Sequence, residues 1–395
     1  MNSTTPLPNA SNPTKVIFDT SGKSPTQPHT DPITNLASTP NPIATGSLLG
    51  LNDNYIVYAV KNGLIRVMDR SSSLRTLLRG HKERITDVSF FGSSSDILAS
   101  VCPSDCRVWR VFGREDELSS EMLLEIQKDE NNEGTLERVV WHPFNPNQFI
   151  LLHKGNSVAT FVETTRLLTT ASTEEGQAHA VCEMKDDQNV DGMLKFVVTD
   201  AFSSDCGIND LTWSNLDARH VLTSHNDGAV RLWDLRNTVY TLNGKEVDAT
   251  TSDLSACTMS AKCVKTVRVS SGDSVQKAFF LSAFEDACSM FRAGGTTGME
   301  ECSYMTSPFI SYTSDGEVTL WSPFTMTGSP PSVVRTFKLG NESPTPSNIS
   351  VCDIPSVSDE EEAPSTFVIL SDEKGNVYAL HLASQLREIP ASGST

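Results

Sequence analysis

No stretch of the 395-residue sequence approaches the ~18 consecutive apolar residues that a membrane-spanning helix requires. The opening residues, MNSTTPLPNASNPTK, contain no basic segment followed by an apolar one, so a secretory signal is not expected. Positive charge is scarce: Lys+Arg 31 against Asp+Glu 49 leaves a net charge of −18. A surface that neutralised nucleic-acid phosphates broadly would need the opposite sign, so direct high-affinity binding to RNA or DNA is not expected. The nine cysteines (102, 106, 182, 206, 257, 263, 288, 302 and 352) are odd in number and scattered. They read as reduced thiols of a cytoplasmic or nuclear protein, not as a disulfide framework. Helical periodicity is also nearly missing. Its closest approach, Glu115–Lys128, has apolar residues at 118, 122, 123 and 126, and an outer strand at 122–127 is the preferred reading there.

With 38% hydrophobic residues the chain can nonetheless build a sizeable core. The exception is residues 1–45, of which 27 are Ser, Thr, Asn or Pro. Such a segment cannot bury enough apolar surface to offset its ordering entropy and is expected to be a disordered tail. One patch interrupts it, Lys15-Val16-Ile17-Phe18. It is either a sticky spot within the tail or a short edge strand docked on the folded body. Residues 384–395 are expected to form a second disordered end, leaving 46–383 as the folded domain.

Within that domain one pattern recurs: two short β-rich runs around a tight turn of Gly, Asn or Asp, the signature of a hairpin. The cleanest copies are His220–Asp234, turning at Asp227-Gly228, and Phe309–Trp321, turning at Asp315-Gly316. In both, the returning strand carries a Trp, a large packing wedge. Weaker copies turn at Asn62-Gly63, Ser104-Asp105, Lys154-Gly155-Asn156 and Lys374-Gly375-Asn376, which makes six hairpins. A third strand precedes most of them, at Ile85–Phe91, Leu136–His142, Ile208–Trp213, Val275–Leu281 and Ile349–Ile354. A fourth follows several, at Arg75–Leu78, Met122–Ile126, Cys263–Val269 and Val333–Leu339. Polar, acidic or Gly-rich insertions are expected at 163–193, 238–261, 286–307 and 355–365. Four antiparallel strands per unit, with Gly80-His81 before one copy and Trp233-Asp234 ending another, form the blade pattern of WD repeats. The expected fold is an all-β WD-repeat β-propeller with six readable blades.

Few residues invite a chemical role. No Gly-x-Ser-x-Gly, Gly-x4-Gly-Lys-Ser/Thr or His-Glu-x2-His occurs. Asp-His-Ser combinations recur and invite a hydrolase reading, but His81, Ser100 and Trp109 fall where WD repeats place a structural hydrogen-bond network binding Gly-His to the hairpin. Cys102 and Cys106 lack a second Cys or His pair at zinc-site spacing. Accordingly no catalytic, cofactor or metal residue is assigned, and no enzymatic activity is expected. The acidic run 359–362 reads as a solvated loop. Lys82, Arg84, Arg66, Arg70, Arg75 and Arg79 form the densest basic run and are either a local docking face or solubilising charge. Ser/Thr-Pro pairs at Thr5, Ser24, Thr39, Ser343 and Thr345 are candidate phosphorylation sites.

A closer resemblance emerges from the ordered runs. Tyr55–Val60, Ile65-Arg66-Val67, Arg75–Gly80 and Thr86–Phe90 look like the opening blade of the Ge-one family, enhancers of mRNA decapping. Arg138–Phe144 resembles that family's third-blade opening, Ser224–Gly228 its Ser-His-Asp-Gly hairpin, and Val351-Cys352-Asp353 with Val368–Asp372 its sixth blade. The resemblance, over roughly 47–383, implies a non-catalytic protein-interaction scaffold. It would assemble the decapping enzyme with its activators in cytoplasmic processing bodies and so promote mRNA decay. The family has seven blades and a C-terminal helical region that oligomerises. This sequence reaches Thr395 just after its sixth hairpin, so the last blade is expected to be missing and oligomerisation is left open. The ring would then either leave a gap, exposing strand edges near Pro42–Leu51 and Val377–Leu382, or close with Lys15–Phe18 as an added strand; the gap is the expectation. The alternative function is a substrate receptor of a cullin–RING ubiquitin ligase, docking through Trp233-Asp234-Leu235-Arg236.

Overall fold

The computed structural model describes residues 15–18, 46–114, 116–129, 134–153, 158–170, 179–184, 192–197, 207–214, 217–242, 245–247, 257–269, 273–281, 306–324, 330–339, 346–354, 365–372 and 377–382. An isolated strand, β1 (Lys15–Phe18), comes first. The first blade is β2 (Leu49–Leu51), β3 (Tyr55–Ala59), β4 (Ile65–Asp69) and β5 (Arg75–Leu78). The second is β6 (Asp87–Phe90), β7 (Ile97–Val101), β8 (Asp105–Arg114) and β9 (Glu117–Lys128). The third is β10 (Leu136–Trp141), β11 (Gln148–His153) and β12 (Val158–Glu163), then, after the helix α1 (Thr164–Thr170) and β13 (Ala180–Met184), β14 (Met193–Val197). The fourth is β15 (Ile208–Trp213), β16 (His220–His225), β17 (Ala229–Leu242), β18 (Lys245–Val247) and β19 (Thr258–Arg268). The fifth is β20 (Val275–Phe280), β21 (Phe309–Thr313), β22 (Val318–Trp321) and β23 (Val333–Leu339). The sixth is β24 (Pro346–Ile354), β25 (Ser365–Asp372) and β26 (Val377–His381). The chain is therefore an all-β WD-repeat propeller, and each of the six expected hairpins is present.

First strands of successive blades stand side by side, β2 by β6, β6 by β10, β10 by β15 and β15 by β20, and so line the axis. Among the described residues, five hydrophobic cores lie between the six blades. Val57 and Val67 meet Leu98 and Trp109 between the first and second. Val101 and Val108 meet Trp141 and Phe149 between the second and third. Leu152 and Phe196 meet Val221 and Trp233 between the third and fourth. Leu222 and Leu232 meet Phe309 and Trp321 between the fourth and fifth. Ile310 and Leu320 meet Ile349 and Val368 between the fifth and sixth. Each buried Val, Leu or Phe side chain contributes about 1.5–3 kcal/mol relative to exposure, so these cores are the main stabilising term. Among the described residues no such core joins the first and sixth blades. Leu49 and Leu51 are 61% and 65% exposed, and Val377 is 68% exposed.

Lys15–Phe18 is an edge strand, which resolves the two readings of that patch. It does not sit between the first and sixth blades: β1 pairs in parallel with β23, from Lys15↔Thr336 to Phe18↔Leu339, on the outer edge of the fifth blade. The second blade gains a parallel outer strand in the same way, β13 on β9. The stretch Glu115–Lys128 is strand over 117–128, longer than the 122–127 expected, because β9 pairs with β8 back to Arg114↔Glu117. Two of the expected insertions contain structure. Residues 163–193 hold α1 and β13, and 238–261 hold the end of β17, β18 and the start of β19. There β14 and β19 pair in parallel, Lys195↔Thr258 to Val197↔Ser260, and join the third and fourth blades into one sheet.

Candidate functional site

The polar residues flagged in the sequence converge in the second blade. His81 is buried, and its Nε2 lies 2.6 Å from the Ser100 hydroxyl, which also accepts from the Trp109 indole at 2.9 Å. Its Nδ1 pairs with Asp105, a residue the sequence reading had not included. Asp105 opens β8 at the end of the hairpin turn, and the missed signal was an aspartate at that turn, as Asp227 and Asp315 mark the turns of the two cleanest copies. Arg107 donates to Asp105 at 3.0 Å and to Glu125 at 2.9 Å. Burial raises the Asp105 carboxyl, but the His81 hydrogen bond and the His81 and Arg107 charges outweigh it, so Asp105 lies below the usual carboxylate range. Every group in this set is occupied by a neighbour, which makes it a rivet between turn and strand, with no group free to attack a substrate.

The same bond repeats elsewhere. Trp233 donates to Thr223 at 2.7 Å, and Trp321 to Ser311 at 2.9 Å. In the fourth blade the histidine comes from the strand end instead of a Gly-His pair, His225 Nε2 lying 2.7 Å from Thr223.

His81, Cys102 and Asp105 place three donor atoms within 4.8 Å of one another. The donor chemistry does not favour a metal. Burial pushes the Cys102 thiol up to about 11, so it is protonated near neutrality and donates to Asp105 at 3.2 Å. A thiol is a poor ligand; metal coordination needs the thiolate. Cys106 is wholly buried, and burial pushes its thiol well above the ordinary thiol range. The Cys102/Cys106 pair is thus a pair of buried core thiols.

A second polar cluster lies near the axis. The first strands of the third, fourth and fifth blades each carry a bulge, between Leu136/Arg138, Ile208/Asp210 and Val275/Lys277. Arg138 pairs with Asp210. Asp87 accepts from the Ser47 amide at 2.6 Å and the Val139 amide at 2.9 Å, tying three successive blades together. Burial pulls the Lys277 ammonium down to about 7, Arg138 adds to that shift and Asp87 opposes it. This is a set of alternating charges that cross-links inner strands.

In Trp233-Asp234-Leu235-Arg236, Arg236 is 45% exposed in its side chain and folds back on Asp234, Nε to Oδ1 at 3.0 Å and Nη2 to Oδ2 at 2.9 Å. The acidic run 359–362 and the Ser/Thr-Pro candidates Thr5, Ser24, Thr39, Ser343 and Thr345 lie outside the described residues.

Residues 43–292 match the family described as the WD40 region of Ge1, enhancer of mRNA-decapping protein. Enhancer of mRNA-decapping protein 4 of Rattus norvegicus is 30% identical over 110 residues, covering 26% of this chain and 8% of the relative. That of Danio rerio is 27% identical over 107 residues with the same coverage, and that of Homo sapiens 29% over 110. The match thus spans less than a tenth of the length of these relatives. Among solved structures, the β-propeller domain of Myceliophteria_thermophila Cps50 (Swd1) is similar at 12% identity and TM-score 0.49, covering 88% of this chain and 89% of that one. The WD40 domain of Toxoplasma gondii coronin is similar at 13% identity and TM-score 0.46, covering 87% and 82%.

Proposed function

The chain belongs to the family of WD40 regions of Ge1, the enhancer of mRNA-decapping protein, and from that membership we propose that it is a non-catalytic scaffold of mRNA decapping. It holds the decapping enzyme and its activators together in cytoplasmic processing bodies, and the hydrolysis belongs to the partner. The observation that carries the reading is the family match over residues 43–292, which takes in the first four blades complete. A physical argument supports the non-catalytic part. The buried polar sets of the second and fourth blades, where a nucleophile and base would be sought, are consumed by bonds between strands and turns. Propeller specificity then resides in the loops at the rims, as it does when a rigid scaffold presents binding residues.

Affinity purification of the tagged chain tests this. Enrichment of decapping subunits and 5′–3′ decay factors is expected. Enrichment of a cullin adaptor in their place, abolished by Arg236→Ala, would overturn the reading in favour of a ubiquitin-ligase substrate receptor.

A further inference from the structure

The basic run of the first blade does not act as one patch. Arg70 donates to the Asn52 and Asp53 carbonyl oxygens at 2.9 and 3.1 Å and is consumed by its own blade. Arg66 and Arg75 lie along the blade's body, opposite Leu77 and Met68. Four exposed cations are left: Lys61, Arg79, Lys82 and Arg84. They gather at one rim because the hairpin turn following Lys61 rests on the segment that leads into β6. Asn62 and Gly63 have φ of 61° and 68°, and a Cβ on Gly63 would meet the His81 and Glu83 carbonyl oxygens at 2.5 Å. That segment is pinned at both ends, by buried His81 bound to Ser100 and Asp105 and by Ile85, 1% exposed in the first inter-blade core. Between the pins Lys82, Glu83 and Arg84 all face solvent. Among the described residues, no ion pair engages any of the four cations.

At the matching rim of the second, fourth and fifth blades the charge is balanced. Their turns carry Asp105, Asp227 and Asp315, paired with Arg107 at 3.0 Å, Arg231 at 2.6 Å and Lys338 at 2.9 Å. The first blade has Lys61-Asn62-Gly63 instead, with no carboxylate in the turn, so an unbalanced cationic rim stands out on a chain of net charge −18.

We infer that this rim docks an extended, Asp/Glu-rich segment of a partner protein. Charge complementarity selects the sign, and the pinned backbone reduces the ordering cost of binding. A peptide fits better than a nucleic acid for two reasons. Single strands gain affinity by stacking bases on aromatic rings, and the exposed aromatic among the described large apolar residues is Phe144, in the third blade. A polynucleotide longer than the rim would also have to run along a chain whose net charge is −18, with screening at ~0.15 M salt acting over about 8 Å. The inference rests on the rim's own charges and stands or falls apart from the decapping reading.

The test is fluorescence anisotropy of the full chain with a labelled peptide of alternating Glu and Ser, at ~0.05 and ~0.15 M salt. Binding that weakens with salt is expected, and the double variant Lys82→Glu, Arg84→Glu should weaken it by about tenfold or more. The double variant should melt at the wild-type temperature, because both side chains are exposed. Lys262→Glu, an exposed cation on β19, should leave binding unchanged. Equal peptide binding by wild type and the double variant, or an equal loss in Lys262→Glu, would overturn the inference. So would tighter binding of a uridine-rich oligonucleotide of the same charge through Lys82 and Arg84, which would assign the rim to nucleic acid.

Discussion

Trp233 and Thr223 are joined by a 2.7 Å hydrogen bond from indole to hydroxyl, inside a blade where the tryptophan is wholly buried. His225 shares the same oxygen at 2.7 Å, so one hydroxyl serves two buried rings. Thr223→Val preserves the side-chain shape and strands the indole N–H. It should cost about 1–3 kcal/mol in denaturant unfolding, whereas Thr223→Ser should cost well under that. Equal costs would mean that the methyl, not the hydroxyl, matters.

Asp105 should be the most sensitive carboxylate of the second blade. Asp105→Asn leaves Arg107 and His81 buried beside a neutral group and should cost about 3 kcal/mol, with Glu125 still partnering Arg107. Arg236→Ala removes a pair whose arginine side chain is 45% exposed and should cost less than ~1 kcal/mol. Urea unfolding of the two variants side by side checks the contrast.

Lys277 predicts a pH dependence. The unfolded chain holds this proton to about pH 10.4, while in the folded chain burial and Arg138 bring release down to about 7. Between those values the unfolded state binds more protons, so stability rises with pH, and the Lys277 penalty is fully present below about 7. Asp87, raised by burial, has the opposite sign, its contribution falling as pH climbs through its own titration. Unfolding free energy should therefore increase from pH 7 to pH 9, with a smaller slope in Lys277→Met. Identical slopes would assign the effect to another group.

The outer strand β1 offers a test of its parallel ladder with β23. Ile17→Pro deletes one backbone donor from the parallel ladder with Thr336–Leu339. Hydrogen exchange should quicken for amides of β23, while the melting temperature moves by little. Unchanged exchange at β23 would show that the ladder does not form in solution.

The hairpins were legible because Asp-Gly and Asn-Gly announce themselves: Asn62, Gly63, Gly228 and Gly316 all have positive φ. The polar rivet was legible in three of its four members, and Asp105 escaped because an aspartate in a turn looks like turn chemistry alone. What no local pattern revealed were the parallel pairings of β1 with β23, β13 with β9 and β14 with β19. Each joins segments far apart in sequence, and a strand's own residues do not state which edge it will meet. The cationic rim was visible only as a crowded run; separating Arg70 from Lys82 required knowing that Arg70 bonds to Asn52 and Asp53.

The alternation of neighbouring residues between cores has a consequence for how the strands find their alignment. Val221 serves the third–fourth core and Leu222 the fourth–fifth core, with both fully buried. Sliding β16 by one residue would exchange one aliphatic side chain for another, a mistake that oil-and-water sorting barely penalises. What such a slip would break is the meeting of Thr223 with Trp233 and His225. In these blades the apolar bulk supplies the adhesion and a few hydroxyls carry the addressing. A chain that kept every Leu and Val but lost those hydroxyls should stay collapsed while its strands lose their unique partners.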